Sequence, residues 1–91
     1  MKAYEVIDAP DKWIQSAFAR TKQGWGVSTR DKDAYCFCAV GAIYRAYYED
    51  ELCHEVVEKL EKVLNRYVPH WNDKPGRTWE EVYQVLKDNN I

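Results

Sequence analysis

The residues best suited to chemistry lie in one stretch of nine, from His70 to Thr78. This stretch contains an imidazole, an indole, an amide, a carboxylate and a guanidinium, together with one proline and one glycine. Such groups can bind a polar ligand or a partner protein, since the arginine fork binds carboxylates through two hydrogen bonds. The candidate binding residues are Trp71, Asn72, Asp73, Arg77 and, from a distant part of the chain, Arg45.

The same stretch also suits a structural turn. Asn72 and Asp73 can fold their side chains onto nearby backbone amides, Pro75 fixes one backbone dihedral, and the glycine after it tolerates a positive one. Because turn chemistry explains most of these residues without a ligand, the structural interpretation is favoured over the binding one. In that interpretation the loop holds the last helix against a central helix, and Arg77 binds a carboxylate on another element, for example Asp33.

Arg45 stands out because the segment around it, residues 32–48, is apolar on nearly every side of a helix. A guanidinium in such surroundings needs an acidic partner or a route to solvent. Asp73 and Glu81 are the candidate partners.

The three cysteines, Cys36, Cys38 and Cys53, lack the spacing of a disulfide framework and suit a reducing compartment. On a helix, Cys36 and Cys38 point to nearly opposite sides and cannot share a disulfide or a metal ion. One catalytic pair is considered, with the Cys38 thiol as nucleophile and His70 as its base. It is disfavoured because apolar surroundings raise a thiol pKa. No catalytic residue, metal site or cofactor is predicted.

Length and charge narrow the function classes. Ninety-one residues predict a single domain over 1–91. Residues 1–48 hold seven basic and five acidic residues, whereas 49–91 hold six basic and ten acidic ones, so no concentrated basic face is expected and nucleic acid is a poor partner. Since the sequence contains no apolar run of membrane-spanning length, we expect a cytoplasmic protein. The acidic residues of the second half could meet a basic surface, so the expected partner is another protein.

The hydrophobic pattern predicts a mainly α fold with three principal helices around a buried central helix, a short N-terminal helix and a small β-hairpin. The N-terminal helix covers residues 2–7, and the hairpin lies within 15–28. The central helix spans 32–48 and an amphipathic helix 51–66. Thr78 and Glu81 form a capping box that begins the last helix, which continues to about Lys87.

Three ordered motifs cover nearly the whole chain: W-x-Q-x-A-F-A-R from Trp13, C-x-C-A-x-G-A-I-x-R-A from Cys36, and W-N-D-x-x-G-R-T-x-E-E-V from Trp71. Together they resemble a small uncharacterised domain family of bacteria, phages and other mobile elements. The family has no assigned activity, so the resemblance implies no reaction for this chain. It does suggest an accessory role, for example interference with a host protein. Ser16 departs from the family pattern, which usually carries glycine there, so a tight backbone contact at that position is in question.

These observations favour a non-enzymatic binding protein that contacts another protein. Its working surface is expected to be the 70–78 loop with Arg45, or the acidic face over 49–62. The alternative is a small-ligand-binding or hydrolytic pocket protein that uses Asn72, Asp73 and Arg77.

Overall fold

The computed structural model describes residues 1–47 and 52–91, and within these ranges the chain is mostly helical with a two-stranded antiparallel sheet. A 3₁₀ turn, Pro10–Lys12, follows the first helix. In chain order the elements are α1 Ala3–Val6, β1 Ala19–Thr21, β2 Ala34–Phe37, α2 Ala39–Ala46, α3 Cys53–Leu64, α4 Val68–Asn72 and α5 Trp79–Asp88.

The sheet differs from the predicted hairpin in its second strand. β1 lies inside the predicted region, but its partner is β2, with Ala19 opposite Phe37 and Arg20 opposite Cys36. The predicted turn does form, since the Thr21 amide donates to the carbonyl of Trp25 at 2.8 Å. Beyond that turn the chain makes only an isolated bridge to β1 and then returns as β2. The predicted two strands are therefore one strand and a loop.

The central helix is shorter than predicted. Residues 34–37 form β2, and α2 begins only at Ala39, with Cys38 as its N-cap. The Cys38 sulfur accepts a hydrogen bond from the Gly41 amide at 3.3 Å and so takes the capping role that serine or threonine usually fills. The first half of α2 is buried, and the helix packs against α1, α3 and α4. The predicted end of this helix at residue 48 lies outside the described residues.

The three remaining helices complete the core: α3 and α4 pack on α2, and α5 packs on α1. Asn65 caps the C-terminal end of α3, and its left-handed backbone turns the chain towards α4, which includes residues of the predicted loop. Thr78 is the N-cap of α5 and forms the predicted capping box with Glu81. The Thr78 hydroxyl accepts a hydrogen bond from the Glu81 amide, and the Glu81 carboxylate accepts one from the Thr78 amide. The largest fully buried side chains are Ile7, Ile43, Leu60, Leu86, Ile91, Val68, Val82 and Asn72. Residues 49–51 of the predicted acidic face, and with them the predicted start of the amphipathic helix at 51, lie outside the described residues.

Candidate functional site

Among residues 1–47 and 52–91, Asn72 is the one side-chain amide that is completely buried, and it joins three distant segments of the chain. Its Oδ1 accepts hydrogen bonds from the Trp13 indole at 2.7 Å and from the Ala39 amide, the first of α2, at 3.0 Å. Its Nδ2 donates to the Ile14 carbonyl at 3.1 Å and to the Asp73 carboxylate at 2.9 Å. Every polar atom of the side chain is used inside the protein, as buried polar groups require.

The irregular segment 13–16 is held against the end of α4 by further bonds. The Gln15 side chain donates to the carbonyls of Asn72 and Lys74, both at 3.0 Å. The Ser16 amide donates to Asp73 Oδ1 at 3.0 Å. The Asp73 carboxylate thus accepts from both Ser16 and Asn72. The structure therefore brings Asn72 and Asp73 together with residues of the N-terminal motif.

Ser16 adopts a left-handed backbone with a φ of 67°, the region that favours glycine. We expect Ser16→Gly to raise the free energy of unfolding by about 1 kcal/mol, because an L-residue pays roughly that amount in this conformation. Urea unfolding followed by tryptophan fluorescence measures the change. Ser28→Gly is the control: it removes a turn bond to the Arg30 amide and should lower stability. A Ser16→Gly protein less stable than the parent contradicts the argument.

Trp71 and Arg77 form a second unit on the other side of α4. The Arg77 guanidinium lies 4.2 Å from the centre of the Trp71 ring, and its Nε donates to the Trp71 carbonyl at 2.9 Å. Its acidic partner is Glu81 at 2.7 Å, one turn along the chain, and not Asp33. Hydrogen bonds from Thr78, followed by the pair with Arg77, lower the pKa of the Glu81 carboxyl. Arg77 is thus fixed in position, with only 12% of its side chain exposed.

Arg45 lies apart from the other candidate residues. Its Nη1 donates to the carbonyls of Thr29 and Asp31, each at 2.9 Å, and its guanidinium faces the ring of Phe37 at 5.7 Å. The expected partners Asp73 and Glu81 are engaged elsewhere. Backbone carbonyls satisfy this arginine instead, and they hold the 29–31 turn against α2.

A cavity of about 330 Å³ opens beside Cys38. Its lining residues are Ser16, Ala17, Phe18, Cys38, Pro69 and Asp73. Burial is the main cause that raises the pKa of the Cys38 thiol. His70, the base considered for this thiol, packs edge-on against Tyr67 at 5.0 Å and lines a different cavity. The structure therefore does not bring this thiol and this imidazole together at one site.

The other cysteines are also free thiols. Cys36 is buried in β2, where desolvation is the main cause that raises its pKa, and Cys53 is partly buried in α3. Within residues 1–47 and 52–91, no three histidine, cysteine or acidic side chains come close enough to hold a metal ion. In the same ranges, no helix has the length and apolarity needed to cross a membrane.

A row of three aromatic side chains, exposed at its two ends and partly buried in the middle, escaped the sequence analysis. We call Phe18, Tyr44 and His54 the aromatic row: the first two ring centroids are 6.2 Å apart and the last two 6.4 Å apart. Phe18 is 53% exposed although it is a large apolar side chain. The Cys38 cavity lies at the Phe18 end, and a second cavity of about 330 Å³ lies beside Tyr44 and His54. Residue type gave no signal for this row, because large apolar side chains such as Phe18 are usually buried.

Comparison with known proteins gives one match. A family of unknown function, DUF6197, matches residues 1–88, which is nearly the whole chain. No curated protein and no solved structure matches the chain significantly.

Proposed function

The chain belongs to this family of unknown function, and from that starting point we propose that it is a non-enzymatic binding protein that contacts another protein through the aromatic row. The observation that carries the proposal is the exposure of Phe18 in contact with Tyr44 and, through it, with His54. Aromatic side chains supply much of the binding energy in protein interfaces, particularly where pockets beside them accept side chains of the partner. Here one cavity lies at each end of the row.

The candidate residues of the 70–78 loop support this choice of surface because most are committed to the protein itself. Asn72 is fully hydrogen-bonded in the core, Trp71 is buried, and Arg77 is held by Trp71 and Glu81. Arg45 is occupied by two backbone carbonyls. These bonds support the second of the two surfaces predicted from the sequence, the acidic face over 49–62, of which His54 of the aromatic row is part.

Charge indicates the kind of partner. The sequence from 49 to 62 contains six acidic residues and two lysines, and His54 of the aromatic row lies within it. Complementary charge raises the association rate and excludes wrong partners. We therefore expect the partner to present an apolar side chain surrounded by basic residues. The proposal includes the role that the resemblance of the three motifs suggests, namely an accessory role in bacteria, phages or mobile elements, acting on a host protein in the cytoplasm.

We expect a Phe18→Ala/His54→Ala double variant to lose the partner while keeping the fold. Both side chains are exposed, so their removal should change the melting temperature little. Tagged parent and variant proteins are used for capture from native host extract. A protein bound stoichiometrically by the parent is then purified, and its dissociation constant is measured for both. The expected loss is about 30-fold or more, typical of two interface aromatics.

Trp25→Ala provides a matched control, because Trp25 is also an exposed aromatic residue but lies outside the row. Its affinity for the partner should equal that of the parent. If the double variant binds the purified partner as tightly as the parent does, the aromatic row is not the binding surface. Sedimentation of the pure protein as a dimer that the double variant abolishes would assign the row to self-association instead.

A further inference from the structure

A third cavity, of about 560 Å³, lies on the face formed by the end of α3, α4 and the loop before α5. We call it the cationic cavity, because three permanently basic side chains and a histidine line it. Its lining residues are Asn65, Arg66, Tyr67, His70, Lys74 and Arg77. This volume lies in the range of small-molecule sites. The proposed function makes no use of it.

The charges of this cavity are only partly neutralised. Within residues 1–47 and 52–91 the single ion pair is that of Arg77 with Glu81. Arg66 and Lys74 therefore keep their positive charges without a carboxylate partner in this part of the chain. The nearby Glu61 carboxylate accepts a hydrogen bond from the Val68 amide at 3.3 Å and lines a neighbouring depression that Arg66 also borders, but it forms no ion pair with Arg66. Two uncompensated charges thus lie in one concave surface of a protein whose formal net charge is −2.

The lining of the cavity is also partly fixed before any ligand binds. Arg77 is held over the Trp71 ring by its Nε bond to the Trp71 carbonyl and its Nη1 bond to Glu81, so it forms a fixed wall of the cavity, while Arg66 and Lys74 supply the donors for a ligand. The His70 ring is packed edge-on against Tyr67. Tyr67 is 60% exposed and offers an aromatic face beside the cations. The cavity therefore combines anion-binding groups with a surface for an organic group.

We infer that the cationic cavity binds a phosphate monoester of metabolite size. A phosphate monoester carries −1.5 to −2 charges at neutral pH, which matches the two uncompensated cations, and its oxygens accept several hydrogen bonds at once. Arginine binds such a group through two parallel bonds, and Tyr67 contacts the organic part. This inference is independent of the aromatic row and of any protein partner.

Titration of the pure protein with ribose 5-phosphate, followed by calorimetry and by amide chemical shifts of ¹⁵N-labelled protein, tests the inference. We expect saturable binding, with the largest shifts in residues 65–77, and no binding of ribose, which lacks the phosphate. An Arg66→Ala/Lys74→Ala variant should bind at least tenfold more weakly. Both side chains are exposed, and the Lys74 carbonyl that accepts from Gln15 is retained, so the fold should persist.

A Lys32→Ala/Lys87→Ala variant makes the same change of net charge outside the cavity and should bind like the parent. The inference is overturned if ribose 5-phosphate does not bind at millimolar concentration, or if this control weakens binding as much as the cavity variant does. Succinate provides a dianion of different chemistry. Succinate that binds as tightly as ribose 5-phosphate overturns the assignment to phosphate.

Discussion

Replacing Gly41 with alanine is expected to lower the free energy of unfolding by about 3 kcal/mol or more. In an open helix the same change would stabilise by about 1 kcal/mol, because alanine is the better helix former. Here a methyl group on Gly41 would overlap the carbonyl oxygen of Phe18 and lie 2.9 Å from its carbonyl carbon. Both atoms are backbone, so α2 and the segment before β1 must separate. That separation also strains the bond from the Cys38 amide to the same carbonyl.

Thermal melting followed by circular dichroism measures this effect. For a domain of this size a loss of 3 kcal/mol corresponds to a decrease in melting temperature of roughly 12–24 °C. Gly26→Ala is the matched control, since a methyl group there meets no atom within 4 Å and the backbone is not left-handed. It should melt within a few degrees of the parent. Equal melting temperatures for the two variants would show that α2 does not pack against Phe18 as described.

Asn72→Ala is expected to destabilise the protein by about 4 kcal/mol, since its loss leaves several buried groups without partners. The Trp13 indole and the Ala39 amide both lose their acceptor, and the Ile14 carbonyl loses a donor. Each unsatisfied buried group costs about 1–3 kcal/mol. Small domains are stable by only about 5–15 kcal/mol, so the variant should be close to unfolding at 37 °C.

Urea unfolding of the variant measures this loss, and two further substitutions separate the causes. Asn89→Ala removes a single bond to the Val85 carbonyl and should cost about 1 kcal/mol. Asn72→Asp keeps an acceptor for Trp13 and Ala39. It also places a second carboxylate beside Asp73, whose carboxylate accepts a hydrogen bond from the Asn72 side chain in the parent protein. It should be destabilised at neutral pH and recover in part when the pH is lowered. Parent-like stability of Asn72→Ala would contradict the structural role.

The mostly helical fold with a small sheet was predictable because α3 and α5 carry long amphipathic patterns with clear end signals. The start of the central helix was not. Residues 34–37 form a short apolar run, and periodicity cannot distinguish such a run in a buried strand from one in a buried helix. The cysteine N-cap did not indicate where the helix begins either, because serine, threonine, aspartate and asparagine are the usual N-cap residues. Pairing with β1, a tertiary contact, decided the outcome.

The candidate residues show the same limit. The 70–78 loop was expected to use local turn bonds, yet Asn72 bonds mainly to residues 33 to 59 positions away. Residue type predicted that the Asn72 side chain would be hydrogen-bonded, but it did not predict which residues would be its partners. Arg45 was expected to need an acidic partner, and backbone carbonyls serve instead. The aromatic row and the cationic cavity depend on how separate elements meet, which no spacing in the chain encodes.

The bonds around Asn72 also bear on how the domain opens. Segment 13–16 has almost no regular structure of its own, and its bonds to α4 and to the following loop hold it in place. The same amide holds the first turn of α2. Detachment of the N-terminal third therefore breaks the start of the buried helix at the same moment, so local opening and global unfolding become one cooperative event. Proteolysis and hydrogen exchange would then report a single protected unit instead of a rigid core with a loose arm.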